Sequence, residues 1–299
     1  MGSQVKEDAF MIHRHLNILT GLLLVSTLMG CTGNAIHSPE AIDIARLTPR
    51  ASTYHDLISL PAPKGKIVAT VYNFRDQTGQ YKPAPSSSFS TSVTQGATSM
   101  LINAMLDSGW FIPLEREGLQ NILTERKIIR AAQKKPNTPS NNNSELPSLF
   151  AANILLEGGI VAYESNIRTG GVGARYFGIG GAEKYRVDQV TVNLRAIDIR
   201  SGRILHSVMT TKTILSQEIQ SSVFRFIEFK RLLEIETGLT TNEPAQLCVF
   251  SAIESALMFL IADGIKKSSW SLKNPEDAQH PVIEKHLQAL SNTLSNSSS

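Results

Sequence analysis

The stretch YRVDQVTVNLRAIDI, residues 185–199, decides the fold of this chain. It contains no glycine or proline, and apolar and polar residues alternate along much of it. One face carries Val190, Val192, Leu194 and Ala196, and the other carries Gln189, Thr191, Asn193 and Arg195. This period of two predicts a β-strand with one buried face. At about 3.3 Å per residue the stretch would be about 50 Å long, much longer than an ordinary globular strand.

The alternation changes phase near Asp188. Tyr185 and Val187 occupy odd positions, whereas the apolar residues from Val190 onward occupy even ones. A strand that passes from one environment into another would show this pattern, and so would a β-bulge. The sequence leaves both explanations open.

Glycine dominates the segment before this strand, GGVGARYFGIGG at 170–181. A dinucleotide-binding loop would need a third glycine where Tyr176 stands, a buried strand before it and a helix after it, and this context is missing. The P-loop pattern fails elsewhere, because Gly65 and Lys66 are followed by Ile67. The glycine segment is therefore either a flexible loop or the turn of a strand–turn–strand hairpin.

The N-terminal stretch HLNILTGLLLVSTLMGC, residues 15–31, has the order of a bacterial lipoprotein leader. An uncharged apolar run, too short for a typical membrane-spanning helix, ends at Leu28-Met29-Gly30-Cys31, which resembles a lipobox. We therefore expect a signal peptide over 1–30 and covalent lipid on Cys31, which anchors firmly because each buried methylene contributes about 0.8 kcal/mol. Thr32 favours the outer membrane over the inner one, and Met11 is an alternative start.

Composition argues against several functional classes. With two cysteines and Cys31 lipidated, Cys248 is expected to be a buried free thiol, and no disulfide framework or cysteine metal cluster can form. A net charge of +3 without basic-aromatic runs makes nucleic acid an unexpected partner. The seven histidines are scattered, and no H-E-x-x-H or G-x-S-x-G motif occurs. We expect no catalytic residue, no metal site and no cofactor other than the lipid.

The remaining segments predict a mixed α/β domain. GKIVATVYNF (65–74) and ANILLEGGIVAYES (152–165) are expected strands, and 134–148 is an expected surface loop. A helix is predicted after a capping box of Ser92 and Gln95, with Gly109 as its stop and with an inner face of Val93, Ala97, Met100, Leu101 and Ala104. A second helix has Leu119, Ile122 and Leu123 inside, and a third covers most of 245–265. The end, SNTLSNSSS at 291–299, is expected to be disordered.

SVFRFIEFKRLLEI, residues 222–235, allows two interpretations. Its aromatic and basic residues fit an amphipathic helix that packs on a core. They also fit a second hairpin with aromatic side chains at a membrane interface. Periodicity does not separate the two.

Taken together, these segments resemble the CsgG family of curli secretion channels, which are outer-membrane lipoproteins. The stretches that carry the resemblance lie between about Leu47 and Asn274, and they are YHDLISLPAPKGKIVATVYNFRDQTGQYKP, WFIPLEREGLQNILTERKIIRAAQ, GGVGARYFGIG and TNEPAQLCVFSAIESALMFLI. The resemblance implies an α/β periplasmic domain with two β-hairpins per subunit that form an oligomeric transmembrane β-barrel in a ring of nine. Four strands from one chain cannot close a barrel, and open strand edges are costly in lipid, so assembly would be required.

The family pattern divides the chain into expected parts. They are a lipoprotein signal peptide at 1–30, a lipidated tether at 31–59, a periplasmic α/β domain at 60–166, membrane hairpins at 167–187 and 217–241, periplasmic strands at 188–216, a C-terminal helix region at 242–274 and a polar tail at 275–299. The first hairpin would contain Gly170, Gly171, Gly173, Gly178 and Gly180, which let backbones approach and bend without side-chain clashes.

The resemblance also implies a pore constriction in loop 80–90. The family has a tyrosine, an asparagine and a phenylalanine there, whereas this chain has Ala84, Ser88 and Phe89. We therefore expect a wider pore with a single phenylalanine level. The alternative for Phe89 is a hydrophobic staple that packs on the following helix.

Two functions follow as expectations. The first is passive export of unfolded curli subunits, with periplasmic and surface accessory proteins and outer-membrane lipid as further partners, and with most of the chain in the periplasm. The second is a monomeric outer-membrane lipoprotein that binds or activates a periplasmic cell-wall enzyme. The long strands and the 217–241 segment favour the first, because a plain binding module does not need them.

Overall fold

The computed structural model describes residues 50, 52–82, 89–133, 146–169, 184–220, 223–227 and 244–296. Within these ranges the strands are β1 (Ile67–Asp76), β2 (Phe111–Glu115), β3 (Ile154–Thr169), β4 (Lys184–Asp198), β5 (Ile204–Gln220) and β6 (Val223–Ile227). The helices are α1 (Ser52–Ile58), α2 (Ala97–Asp107), α3 (Leu119–Gln133), α4 (Pro244–Lys266) and α5 (Pro281–Asn296), with a 3₁₀ helix at Pro275–Gln279. The α/β prediction is confirmed.

A six-stranded mixed sheet organises the domain in the order β2-β1-β3-β4-β5-β6. β1 is parallel to both β2 and β3, and each pair from β3 to β6 is antiparallel. The predicted alternation in β4 is confirmed, because Val190, Val192, Leu194 and Ala196 are buried while the alternate residues are not. The sheet therefore packs its core on one face, against α2 and α4.

Helix α2 has the predicted inner face but a different start. Val93, Ala97, Met100, Leu101 and Ala104 are all buried, and Gly109 follows the helix with a φ of +69°. The capping-box prediction is wrong: Gly96 is the N-cap, without a side-chain cap. The backbone N–H of Ser92 donates instead to the Gln80 carbonyl at 2.9 Å, so Ser92 belongs to the preceding loop.

Helix α4 is the core helix of the domain. By length and composition its segment Ala245–Lys266 could cross a membrane, yet most of it is buried inside the fold. Residues on every side of the helix are buried, among them Ile253, Ala256, Leu257, Leu260 and Ile261. A helix that is apolar nearly all round fits a place between a sheet and other helices.

Two helices differ from the sequence prediction. Leu119, Ile122 and Leu123 of α3 are only half-buried, because α3 follows the edge strand β2 and lies beside the core rather than on it. The end of the chain is helical to Asn296, where disorder was predicted from residue 291. Val282, Ile283 and His286 are buried, and the His286 ring meets the Phe259 ring of α4 at 4.6 Å.

Candidate functional site

The loop between β1 and α2 is closed by a short neck. Tyr81 and Thr91 form an antiparallel bridge, and the Lys82 N–H donates to the Ser90 carbonyl at 2.8 Å. At its base, Asp76 Oδ1 accepts hydrogen bonds from the backbone N–H and the hydroxyl of Thr78 at 2.8 and 2.7 Å. The neck holds both flanks of segment 83–88, so this segment starts and ends at one place on the fold.

Of the predicted constriction residues, Phe89 lies at this neck. Ala84 and Ser88 lie outside the described residues. Phe89 is 91% exposed, so it does not pack on α2, and the staple alternative is wrong. The base of the loop is fixed to α2, because the buried Thr98 hydroxyl accepts from the Phe74 N–H at 2.8 Å.

The first predicted hairpin continues the longest ladder in the sheet. β3 and β4 pair from Ile154↔Asp198 to Thr169↔Lys184. The predicted hairpin 167–187 includes the end of this ladder at Thr169↔Lys184. Segment 170–183 connects the two strands in the sequence. That segment, with Gly170, Gly171, Gly173, Gly178 and Gly180, lies outside the described residues. The strand–turn–strand alternative thus has both of its strands in the structure.

The phase change near Asp188 is not a bulge. β4 pairs with β5 without interruption from Tyr185↔Gln217 to Ala196↔His206. The bulge in β3, between Ile160 and Ala162, lies opposite Val192 and Thr191, whereas Asp188 pairs regularly with Ser165. Asp188 is buried and lies on the same face of β4 as Val190. The buried face of even-numbered residues therefore continues to Asp188, where it becomes polar.

A buried polar cluster, formed by Tyr163, Arg186 and Asp188, occupies this position. The Tyr163 hydroxyl donates to Asp188 Oδ1 at 2.8 Å, and Arg186 Nε lies 2.9 Å from the same carboxylate. Arg186 Nη2 also donates to the Tyr163 hydroxyl at 3.0 Å. Burial, with the adjacent Asp188 charge, raises the pKa of Tyr163 to about 12. Sequence reasoning missed the cluster, although an aspartate within a regular buried face was its signal.

Cys248 lies beside the cluster as the predicted buried free thiol. Its Sγ donates to the carbonyls of Lys212 and Asp188 at 3.2 and 3.5 Å. Burial raises the pKa of this thiol to about 12, so it stays protonated and unreactive at neutral pH.

The second predicted hairpin has a pair of strands in the structure. β6 is antiparallel to β5, with pairs from Leu215↔Ile227 to Gln220↔Val223. Residues 223–227 form a strand, so the helical interpretation of 222–235 is wrong for this part. Residues 228–243 lie outside the described residues.

The four strands β3 to β6 form a ribbon with two open edges in the described part of the chain. β1 covers β3 only as far as the pair Asp76↔Ile160, so 162–169 pairs with β4 alone. β6 pairs only with β5. Both predicted hairpins therefore continue one ribbon, side by side.

His206, His286 and Glu115 each have a structural partner of their own. His206 is buried, with Nδ1 2.7 Å from Asp263 Oδ2, and His286 bonds the Val282 carbonyl. Glu115 accepts from the Gly118 N–H at the start of α3. In the described ranges no group of three His, Cys, Asp or Glu side chains could hold a metal ion. Cys31 lies outside these ranges.

The sequence comparisons with known proteins agree on one family. The family model described as "Curli production assembly/transport component CsgG" matches residues 50–290. Proteins of that name from Salmonella typhimurium and Escherichia coli K12 are each 54% identical, over 89% of this chain and 96% of their own length. Among solved structures, the LpoB C-terminal domain from Salmonella enterica aligns at 12% identity with a TM-score of 0.23, covering 53% of this chain and 91% of that domain.

Proposed function

The chain belongs to the CsgG family of curli production assembly/transport components, and from this premise we propose that it is one subunit of an outer-membrane channel that exports unfolded curli subunits. The family match spans both predicted hairpins and the constriction loop. Export is proposed to be passive diffusion, since neither glycine motif of the chain has the context of a nucleotide site.

The four-stranded ribbon is the observation that carries this proposal. Among the described residues β3 has an open edge from 162 to 169, next to the first predicted hairpin, and β6, which lies within the second one, pairs only with β5. In hydrocarbon, unpaired backbone N–H and C=O groups each cost several kcal/mol, so an open ribbon is unstable there. Closure with the ribbons of other subunits removes every edge, and it encloses water.

Strand directions support a head-to-tail ring. β3 and β6 run in opposite directions, because three antiparallel steps separate them in the ribbon. A neighbour's β6 would therefore lie antiparallel to β3, as in the pairs within one subunit. Such a heterologous contact closes into a ring when its rotation permits. The number of subunits, nine, is taken from the family resemblance.

The rest of the molecule is proposed to lie in the periplasm, anchored by lipid on Cys31. Helix α4 packs on one face of β4 and β5, and we propose that this helix-covered part of the sheet meets water rather than lipid. Secreted curli subunits would enter from this side, and periplasmic and surface accessory proteins are the further proposed partners.

Loop 80–90 is proposed to form the constriction. Phe89 stands exposed next to the neck, which suits a side chain that projects into a channel. With Ala84 and Ser88 in place of the family's larger residues, each subunit contributes a single aromatic side chain. A ring of Phe89 side chains would offer apolar contact to an unfolded chain and exclude folded proteins.

Native mass and electron microscopy of the full-length lipidated protein in detergent test the assembly. We expect a closed ring with a central opening. A single-chain species without a ring would contradict the channel and favour the monomeric lipoprotein that activates a cell-wall enzyme.

Conductance in planar bilayers tests the constriction. Phe89→Ala should raise single-channel conductance, because it removes the side chain that is proposed to narrow the pore most. Phe150→Ala is the matched control, since Phe150 is also exposed but lies on the segment before β3. Equal conductance of Phe89→Ala and the wild type would count against the pore role of Phe89.

A further inference from the structure

Glu254 is a carboxylate in the middle of the most apolar helix of the fold. Its side chain is 1% exposed. Few groups compensate its charge: Oε2 accepts a hydrogen bond from the Thr53 hydroxyl at 2.5 Å, and Arg50 Nη1 lies 3.7 Å from Oε1. Oε1 has no hydrogen-bond partner in the described residues. Burying a charge with so few partners is unfavourable.

Both groups that contact the Glu254 carboxylate directly come from one short segment. Thr53 is in the first turn of α1, and Arg50 lies just before that helix. The Arg50 guanidinium stacks over the rings of Tyr54 and Phe250, at 4.9 and 5.1 Å from their centroids. Leu57, on the inner side of α1, is fully buried. The contact between α1 and α4 is thus an apolar interface with one carboxylate inside it.

The other charged groups around Glu254 oppose one another. Asp107, at the end of α2, holds Arg50 Nη2 at 3.4 Å, and Lys212 reaches the site from β5. Burial raises the pKa of Glu254 to about 7, and Asp107 adds to the rise, whereas Thr53, Arg50 and Lys212 lower it. Asp56 of α1 forms a separate ion pair with Lys285 at 2.8 Å. This pair lies on the solvent-exposed side of the helix, away from Glu254.

Removal of α1 would expose Glu254 to water, so α1 docking and proton binding are thermodynamically linked. The carboxyl holds its proton more tightly when α1 is docked, from an ordinary pKa of 4.5 to about 7. The stabilisation is therefore complete below about 4.5 and is lost as the pH rises through about 7.

We propose that Thr53, Arg50 and Glu254 form a proton-sensitive latch, which holds α1 on the core helix in mildly acidic conditions and loosens it above neutral pH. α1 precedes β1 in the chain, so the latch sets whether this first described helix stays docked on the core helix. The latch is independent of the proposed channel.

Amide hydrogen exchange of the full-length protein in detergent, between pH 6 and pH 8, tests the latch. After correction for intrinsic exchange, protection of 53–59 should fall roughly tenfold over this range. Glu254→Gln keeps the size and hydrogen bonding of the side chain but cannot ionise. In this variant the protection of 53–59 should therefore be the same at pH 6 and pH 8. Asp56→Asn is the matched control: it removes the outer ion pair and should keep the wild-type ratio between the two pH values.

Protection that is constant with pH in the wild type, or a Glu254→Gln variant with the wild-type slope, would overturn the latch. Amides of α4 report whether each variant is folded. Thr53→Val gives a second measurement, because loss of the hydroxyl should lower the protection of α1 below the wild-type value at pH 8. Equal protection of α1 in Thr53→Val and in the wild type at pH 8 would also contradict the proposal.

Discussion

Single residues on the buried face of β4 mark where the domain core ends. Val190, Val192 and Leu194 are apolar, and one step further Asp188 is buried with Arg186 and Tyr163 as partners. Each polar atom of this cluster depends on the others, since a buried ion pair with one partner missing is strongly destabilising. The cluster closes the apolar core at the base of the predicted first hairpin, whose bounds include Arg186.

Tyr163→Phe tests this cluster. The change removes a hydroxyl that donates to Asp188 and accepts from Arg186, so we expect the free energy of unfolding to fall by about 1–3 kcal/mol. Tyr72→Phe is the control, because Tyr72 is about half exposed on β1 and its change should cost within about 0.5 kcal/mol. Urea unfolding of the detergent-solubilised protein measures both. Equal stability of the two variants would show that the cluster contributes little.

Among the elements, α4 is the one on which the others are assembled. It packs on β4 and β5, contacts α1, α2 and α5, and carries Glu254, Cys248 and Asp263 inward. Its C-terminal part is locked by Trp270, whose Nε1 donates to the Ile261 carbonyl at 2.8 Å and whose ring lies 4.8 Å from the His206 ring. This arrangement requires a glycine at 264.

Gly264→Ala should therefore destabilise the fold. An added Cβ would lie 1.7 Å from Trp270 Cε2, so the indole must leave its site and lose its hydrogen bond. Overpacking of this kind typically costs about 1–3 kcal/mol. Gly65→Ala is the matched control, because nothing lies within 4 Å of its added Cβ. Thermal unfolding measures both, and a Gly264→Ala midpoint equal to that of Gly65→Ala would refute the packing argument.

For the whole molecule, the proposed channel combines two parts of each subunit. The ribbon β3–β6 would form the wall, and the loop after β1 would set the width. The two meet in one subunit, because Asp76 at the end of β1 pairs with Ile160 at the point where β1 stops covering β3. Mutations in the loop should therefore change the width of the pore without changing the assembly of the ring.

Ala84→Tyr combined with Ser88→Asn tests this separation. The double variant restores the larger residues that the family resemblance places in the constriction, so single-channel conductance should fall below that of the wild type. Ring size in micrographs should not change, because neither residue is in the ribbon. An unchanged conductance in intact rings would indicate that loop 80–90 does not set the width of the pore.

Sequence alone determined the mixed α/β class, the buried face of β4, the core helix α4, the buried free thiol and the family, since each depends on local periodicity or on long matching stretches. It did not determine the start of α2, because the backbone of Ser92 is engaged by Gln80, which only folding brings near. It also missed the helical end of the chain, whose few apolar residues are stabilised by packing on α4.

Only the tertiary structure decided how the polar residues are paired. Asp188 and Tyr163 are 25 positions apart, and Thr53 and Glu254 are 201 apart. No periodicity links such residues, because their contact depends on strand register and on the docking of helices. The open edges of the ribbon are of the same kind: the sequence shows long strands, and the topology decides which of them remain without a neighbour.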